Sequence, residues 1–242
     1  MANTQIEHLR IAIRETLQVN GDEGYARQMK AYMKGKFEFY GLTAGDRRTT
    51  TKDLIKESRE LSVDHRFQLA EALWQEHYRE CHYTAMDILS TIESKIDVSY
   101  LSRVENLIMT NSWWDTVDWL ASHLVGSIYR KTSSEREVYL NKWLSSEDIW
   151  LNRSCLIYQL FYREDTNFER LKHYIYALEH KKEFFIQKAI GWALRQYSKS
   201  NAYEIEEFVN DQPIMSNLAR REAMKHINKV KIKGKLECIE VR

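Results

Sequence analysis

Apolar residues recur along the chain at the spacing of a helix face, and short polar links interrupt them. Ile6, Leu9, Ile11, Ile13 and Leu17 mark a first helix, Ile6 to Leu17, broken by Gly21 and Gly24. A basic, aromatic segment follows from Tyr25 to Met33 and gives way at Gly35. Past Gly41 and Gly45, Asp46-Arg47-Arg48 opens a helix through Lys56. The same pattern predicts helices over His65 to Gln75, Tyr78 to Ser94, Ser99 to Met109, and from Ser112 to near Gly126. It continues over Glu135 to Leu144, Ile149 to Phe161, Phe168 to Leu178, Glu183 to Ser198, Tyr203 to Val209 and Leu218 to Asn228. From Lys229 to Arg242 Lys alternates with apolar residues, which reads as an extended arm or a disordered basic tail.

Helices of this length joined by short links invite a search for a period. Arg48, Tyr83, Asp118, Arg153 and Lys188 fall at successive intervals of 35, and Arg221 follows after 33. Six residues after each lie Leu54, Leu89, Leu124, Gln159, Leu194 and Ile227, apolar in five of the six cases. Ile149-Trp-Leu-Asn-Arg and Phe184-Phe-Ile-Gln-Lys also resemble each other. Such a period fits HEAT-like units, whose second helices line a concave surface. The expected fold is all-α: one right-handed superhelical solenoid of about six helix pairs over 1–242. One proline and eight glycines agree, being too few for many tight turns.

The net charge of +1 announces no global attraction to a polyanion, so any such site must come from local segregation of the 36 Lys and Arg residues. Cys81, Cys155 and Cys238 share no metal-like spacing and read as reduced thiols of a cytoplasmic protein. Glu7, Arg10 and Arg14 argue against a signal peptide, and no apolar run approaches a membrane span. His77 and His82, five apart, form a poor helical metal pair and read as surface or cap residues. No phosphate-binding glycine loop, Ser/His/Asp triad or metal motif is present, so no cofactor or metal is expected.

The candidate chemistry gathers in Asn111 to Trp119, where three of seven tryptophans and two carboxylates fall within nine residues. Ser112 is placed as an N-cap with Asp115 as its capping-box acid. Trp113, Val117, Leu120 and Leu124 form a core stripe, which leaves Trp114 and Asp118, four apart, sharing another face. The plain reading of that face is a partly buried aromatic beside a solvated acid. In the 35-residue register, however, it joins Arg48, Arg153, Lys188 and Arg221, with Trp192 one turn after Lys188. Cations and indoles in one groove suit a duplex backbone. An Asp among phosphates is repulsive unless it meets positive charge on the substrate. Trp74, Trp113, Trp119, Trp143 and Trp150 are assigned to the core or to helix interfaces.

Ser112-Trp-Trp-Asp-Thr-Val-Asp118, Ile149-Trp-Leu-Asn-Arg153 and Lys182-Glu-Phe-Phe-Ile-Gln-Lys-Ala-Ile-Gly-Trp192 resemble signature segments of the AlkD-type DNA alkylation-repair glycosylases. Tyr32-Met-Lys, Asp46-Arg-Arg and Arg221-Glu-Ala-Met-Lys-His226 resemble further segments in the same order, so the likeness runs from about Tyr25 to Asn228. The resemblance implies excision of cationic N3- and N7-alkylpurines from duplex DNA without base flipping. It assigns Asp118 as the catalytic acid, Trp114 and Trp192 as groove indoles, and Arg153 as a catalytic-site arginine holding a phosphate and aligning the carboxylate. Tyr32, Arg47, Arg48, Lys188, Arg195 and Arg221 are the expected DNA contacts of a monomer that binds no membrane. Without the resemblance, the rival is a non-catalytic α-solenoid that binds DNA structures or protein partners.

Overall fold

The computed structural model describes residues 2–131 and 135–240, and the fold is all-α. The chain forms two compact units, 1–100 and 101–242.

The first unit contains α1 (Ala2–Val19), α2 (Glu23–Tyr32), α3 (Ala44–Glu57), α4 (Val63–Trp74) and α5 (Arg79–Ser90). α1 packs on α3 and α4, α4 on α5, and α3 on α5. Leu9, Ile13 and Leu17 of α1, Phe67, Leu73 and Trp74 of α4, and Ile88 of α5 are all closed to solvent where these helices pack. Three helix starts follow from their caps: Asp22, Thr43 and Ser62 accept from the N–H groups of Tyr25, Asp46 and His65. The α2–α3 link is held from inside by Glu80. Its buried carboxylate accepts from the N–H groups of Tyr40, Gly41 and Leu42 at 3.0, 2.8 and 3.2 Å. Gly41 sits at φ +94°, and a Cβ there would lie 2.0 Å from the Asp22 carbonyl.

Two expectations, about a helix end and a histidine, fail here. α5 stops at Ser90 instead of Ser94, because the Thr91 hydroxyl donates back to the Ile88 carbonyl at 2.6 Å and closes the last turn. His82 is buried, not a surface or cap residue. Its Nδ1 lies 3.0 Å from Arg79 Nη1 and its Nε2 2.9 Å from the Glu76 carbonyl.

The second unit runs through α6 (Leu101–Met109), α7 (Trp114–Trp119), a π-helical turn (Leu120–Val125) and α8 (Gly126–Lys131). α9 (Glu135–Leu144), α10 (Ile149–Ile157), α11 (Phe168–Leu178), α12 (Phe184–Tyr197), α13 (Ala202–Asn210) and α14 (Asn217–Glu240) follow. α10 is its centre, with every residue from Trp150 to Ile157 buried, as a helix apolar on most sides must be. It packs against α6, α7, α9, α11 and α12. α12 lies close on α14, which Gly191 permits: a Cβ there would meet the Ala219 carbonyl and Glu222 Cβ at 2.5 Å each.

The Lys-rich stretch beyond Asn228 is helical through Glu240, a correction to the extended arm. Lys and Leu are good helix formers, and elongating an existing helix avoids the cost of a new nucleus. Val241 and Arg242 lie outside the described residues. Cys81 and Cys155 are buried free thiols, and burial pushes both well above the usual thiol range. Cys238 falls outside the residues whose side chains are described. Among the described residues no helix is long and apolar enough to cross a membrane, and no group of His, Cys, Asp and Glu is placed to hold a metal.

Candidate functional site

The site begins with a turn. α6 ends at Met109, and Asn111 takes φ +52°, a left-handed conformation that Asn tolerates better than most residues. The Ser112 hydroxyl donates back to the Ile108 carbonyl at 2.6 Å, so it closes α6 and does not cap α7. The cap position falls to Trp113 in extended backbone, a correction to the capping box. The Trp113 ring packs edge-on against Trp150 at 5.6 Å and Phe185 at 5.0 Å, and Trp150 and Phe185 are 5.0 Å apart. Three rings from three segments thereby pin the start of α7. Val117, Leu120 and Leu124 are buried as the stripe predicts.

That orientation leaves Trp114 and Asp118 half-buried on the remaining face, one turn apart. Arg153 reaches Asp118 across the 35-residue interval. Its Nε donates to Oδ1 at 2.7 Å and its Nη2 to Oδ2 at 2.9 Å, a two-pronged pairing of guanidinium with carboxylate. Nη1 donates to the Phe185 carbonyl at 2.6 Å. All three guanidinium nitrogens are therefore engaged inside the protein. The expected alignment of the carboxylate by Arg153 is what this geometry provides.

Solvent meets the negative end of this pair, because the Asp118 side chain is 16% exposed and that of Arg153 only 3%. Burial raises the Asp118 carboxyl above the ordinary range, Arg153 pulls against that rise, and nearby Asp115 adds to it. The Trp192 ring centre lies 5.9 Å from the Arg153 guanidinium carbon, so α7, α10 and α12 bring Asp118, Arg153 and Trp192 together.

The expected DNA contacts divide. Lys188 and Arg195 are half-buried and flank Trp192 on one face of α12 at i, i+4 and i+7. Arg221 is exposed, whereas neighbouring Arg220 turns in to the Val209 and Gln212 carbonyls. Tyr32 is exposed in the first unit, beside a cleft of about 450 Å³ lined by Tyr25, Met29, Phe39 and Tyr83. Arg48 is exposed there too, with Nε 3.7 Å from Asp87. Arg47 is corrected: it is buried, ion-paired with Asp87 and near the Thr84 hydroxyl, so it serves the core.

One residue escaped the sequence reading altogether. Glu222 of α14 is buried and takes ion pairs from Lys188 at 2.7 Å, Arg195 at 2.9 Å and Lys225. Its intervals of 34 from Lys188 and three to Lys225 were the available signal.

The model of the family described as DNA alkylation repair enzyme matches residues 13–227, nearly the whole chain. The chain belongs to that family. A solved structure described as a predicted DNA alkylation repair enzyme from Enterococcus faecalis is similar at 34% identity and a TM-score of 0.80. The likeness covers 87% of this chain and 98% of that one. No curated protein matches. Trp114, Asp118, Arg153 and Trp192 all lie inside the segment that matches the DNA alkylation repair family.

Proposed function

We propose that the protein is a DNA glycosylase that excises cationic N3- and N7-alkylated purines from duplex DNA by hydrolysing the N-glycosidic bond, without flipping the lesion. The observation that carries the reading is a half-buried carboxylate, Asp118, locked at both oxygens by Arg153, one helical turn from Trp114, with Trp192 near the same guanidinium.

An alkylated purine already carries positive charge and leaves readily. As the bond breaks, that charge moves to the sugar. The ionised Asp118 stabilises it and orients the attacking water with the lone pairs that Arg153 does not occupy. Trp114 and Trp192 offer electron-rich faces to the cation, worth ~0.5–2 kcal/mol each. Asp118 held as an anion accepts protons and does not supply one to the leaving base. A base that brings its own charge is therefore the substrate this arrangement suits.

The test is release of free base from methylated duplex DNA, identified by chromatography, with wild type and Asp118→Asn. Losing the charge should cost about 10²–10³-fold in excision, the range found for single electrostatic groups. Affinity for undamaged duplex should hold or rise, since Arg153 loses its counter-charge. Near-full excision by Asp118→Asn with normal helix content by circular dichroism would make Asp118 structural. Duplex binding by wild type without any base release would favour a DNA-binding solenoid instead.

A further inference from the structure

We propose that Glu222 is a positioning residue that gathers Lys188, Arg195 and Lys225 into a seat for one backbone phosphate of duplex DNA. The proposal rests on the reading of the protein as an enzyme of duplex DNA.

Glu222 is 2% exposed, and a carboxylate so placed needs partners. It has three: Lys188 Nζ at 2.7 Å and Lys225 Nζ on Oε1, and Arg195 Nη1 at 2.9 Å on Oε2. Burial alone would raise its carboxyl, but Lys188 and Lys225 outweigh that and hold it below the ordinary range, so it is ionised. Three positive charges on one carboxylate leave a surplus of two. The surplus faces outward, because the carboxylate is buried while Lys188 and Arg195 are half-exposed and Lys225 is exposed. Each ammonium has three N–H donors and the guanidinium five, more than Glu222 can use.

A cluster needed only to join α12 to α14 would be complete with one cation. The second and third bring repulsion that a bound anion relieves. Long Lys and Arg side chains ordinarily lose rotamer freedom when they take a ligand, and here that ordering is done before binding. The location fits a phosphate near the reacting nucleotide, since Lys188 and Arg195 bracket Trp192, whose ring lies against the guanidinium that holds Asp118. Gly191 lets α14 come close enough for Glu222 to reach both.

The test is binding of undamaged fluorescent duplex across a salt series, by wild type, Lys225→Ala, Glu222→Gln and the double variant, with thermal melts as the folding control. Lys225→Ala should make the salt slope shallower by about one unit. Glu222→Gln adds net positive charge, yet should weaken binding about three- to tenfold, because the released cations spread apart. In that background Lys225→Ala should cost less than about twofold more. Tighter binding by Glu222→Gln with a slope steeper by about one unit would reduce Glu222 to a counter-charge and overturn the proposal. Independent, multiplying effects of the two substitutions would overturn it as well. If Glu222→Gln melts below the assay temperature, Lys225→Ala, at an exposed position, decides alone: an unchanged slope sinks the seat. Absence of any duplex binding by wild type would sink the reading of the protein as a DNA enzyme, whereas binding and excision indifferent to these variants would sink the seat only.

Discussion

Replacing Arg153 with Met would leave Asp118 in a half-buried site without its counter-charge. Removing one partner of a buried pair typically costs 3–5 kcal/mol, roughly what is expected here because the guanidinium supplies hydrogen bonds to both oxygens. The carboxyl has an escape: it can take up a proton. With an unfolded carboxyl near 3.9, that uptake costs ~4 kcal/mol at pH 7 and ~1.5 kcal/mol at pH 5, at 1.36 kcal/mol per unit. The smaller of the two routes sets the penalty, so about 3–4 kcal/mol is expected at neutral pH and under half of that at pH 5. The sign follows from linkage. An acid whose folded pKa is raised favours the folded state below its unfolded pKa, and that contribution is lost as pH rises through the folded value. Burial already raises Asp118 in the native protein, so the variant exaggerates a native tendency. At roughly 2–4 °C per kcal/mol, the melting temperature should drop by about 6–16 °C at pH 7 and recover most of that at pH 5. Circular dichroism melts of wild type, Arg153→Met and Arg153→Met/Asp118→Asn at both pH values provide the measurement. A drop of equal size at pH 5 and pH 7, or a double variant no more stable than Arg153→Met at pH 7, would refute the account of a carboxylate held ionised by its arginine.

The same ionisation governs turnover: corrected for spontaneous depurination, excision should fall on the acid side through a midpoint above the ordinary Asp value, and a midpoint at or below it would contradict burial as the dominant influence. Gly191→Ala should cost about 1–3 kcal/mol by forcing α12 from α14, while Gly45→Ala, whose nearest neighbour would be Thr43 Oγ1 at 3.7 Å, should be neutral or slightly stabilising by melting temperature. Arg48→Ala should weaken duplex binding and flatten the salt slope by about one unit, whereas Arg47→Ala, one residue away but buried on Asp87, should act on the melt; a swap of these two effects would reverse their assignment.

The helical periodicity was sufficient to place Trp113, Val117, Leu120 and Leu124 in the core and Trp114 and Asp118 beyond it. The 35-residue interval went further, since Asp118 and Arg153 at that spacing touch. What stayed hidden were decisions between competing partners. Arg47 and Arg48 are chemically equal and adjacent, and both reach Asp87; only the burial of Arg47 in the packed unit separates them. Ser112 has the chemistry of an N-cap, but the left-handed turn at Asn111 hands its hydroxyl to the preceding helix. Glu222 was invisible because an acid set among basic residues reads as solvated until another helix lies over it.

The π-helical turn between Trp119 and Gly126 gives the site a phase as well as a place. An α-helix advances about 100° per residue, and a π-turn closes its hydrogen bonds one residue later. The residues before Leu120 and those after Val125 thus belong to one rod read in two frames. One frame aims Asp118 at Arg153. The other seats Gly126 within 2.6 Å (measured from an added Cβ) of the Tyr158 carbonyl and offers its own carbonyl to the Tyr162 hydroxyl at 2.5 Å. The direction of the carboxylate is accordingly set by a count of residues as much as by their kinds. Running the same residues as a regular α-helix, without the wide turn, would swing Asp118 by about 100° relative to α8, with no functional side chain altered.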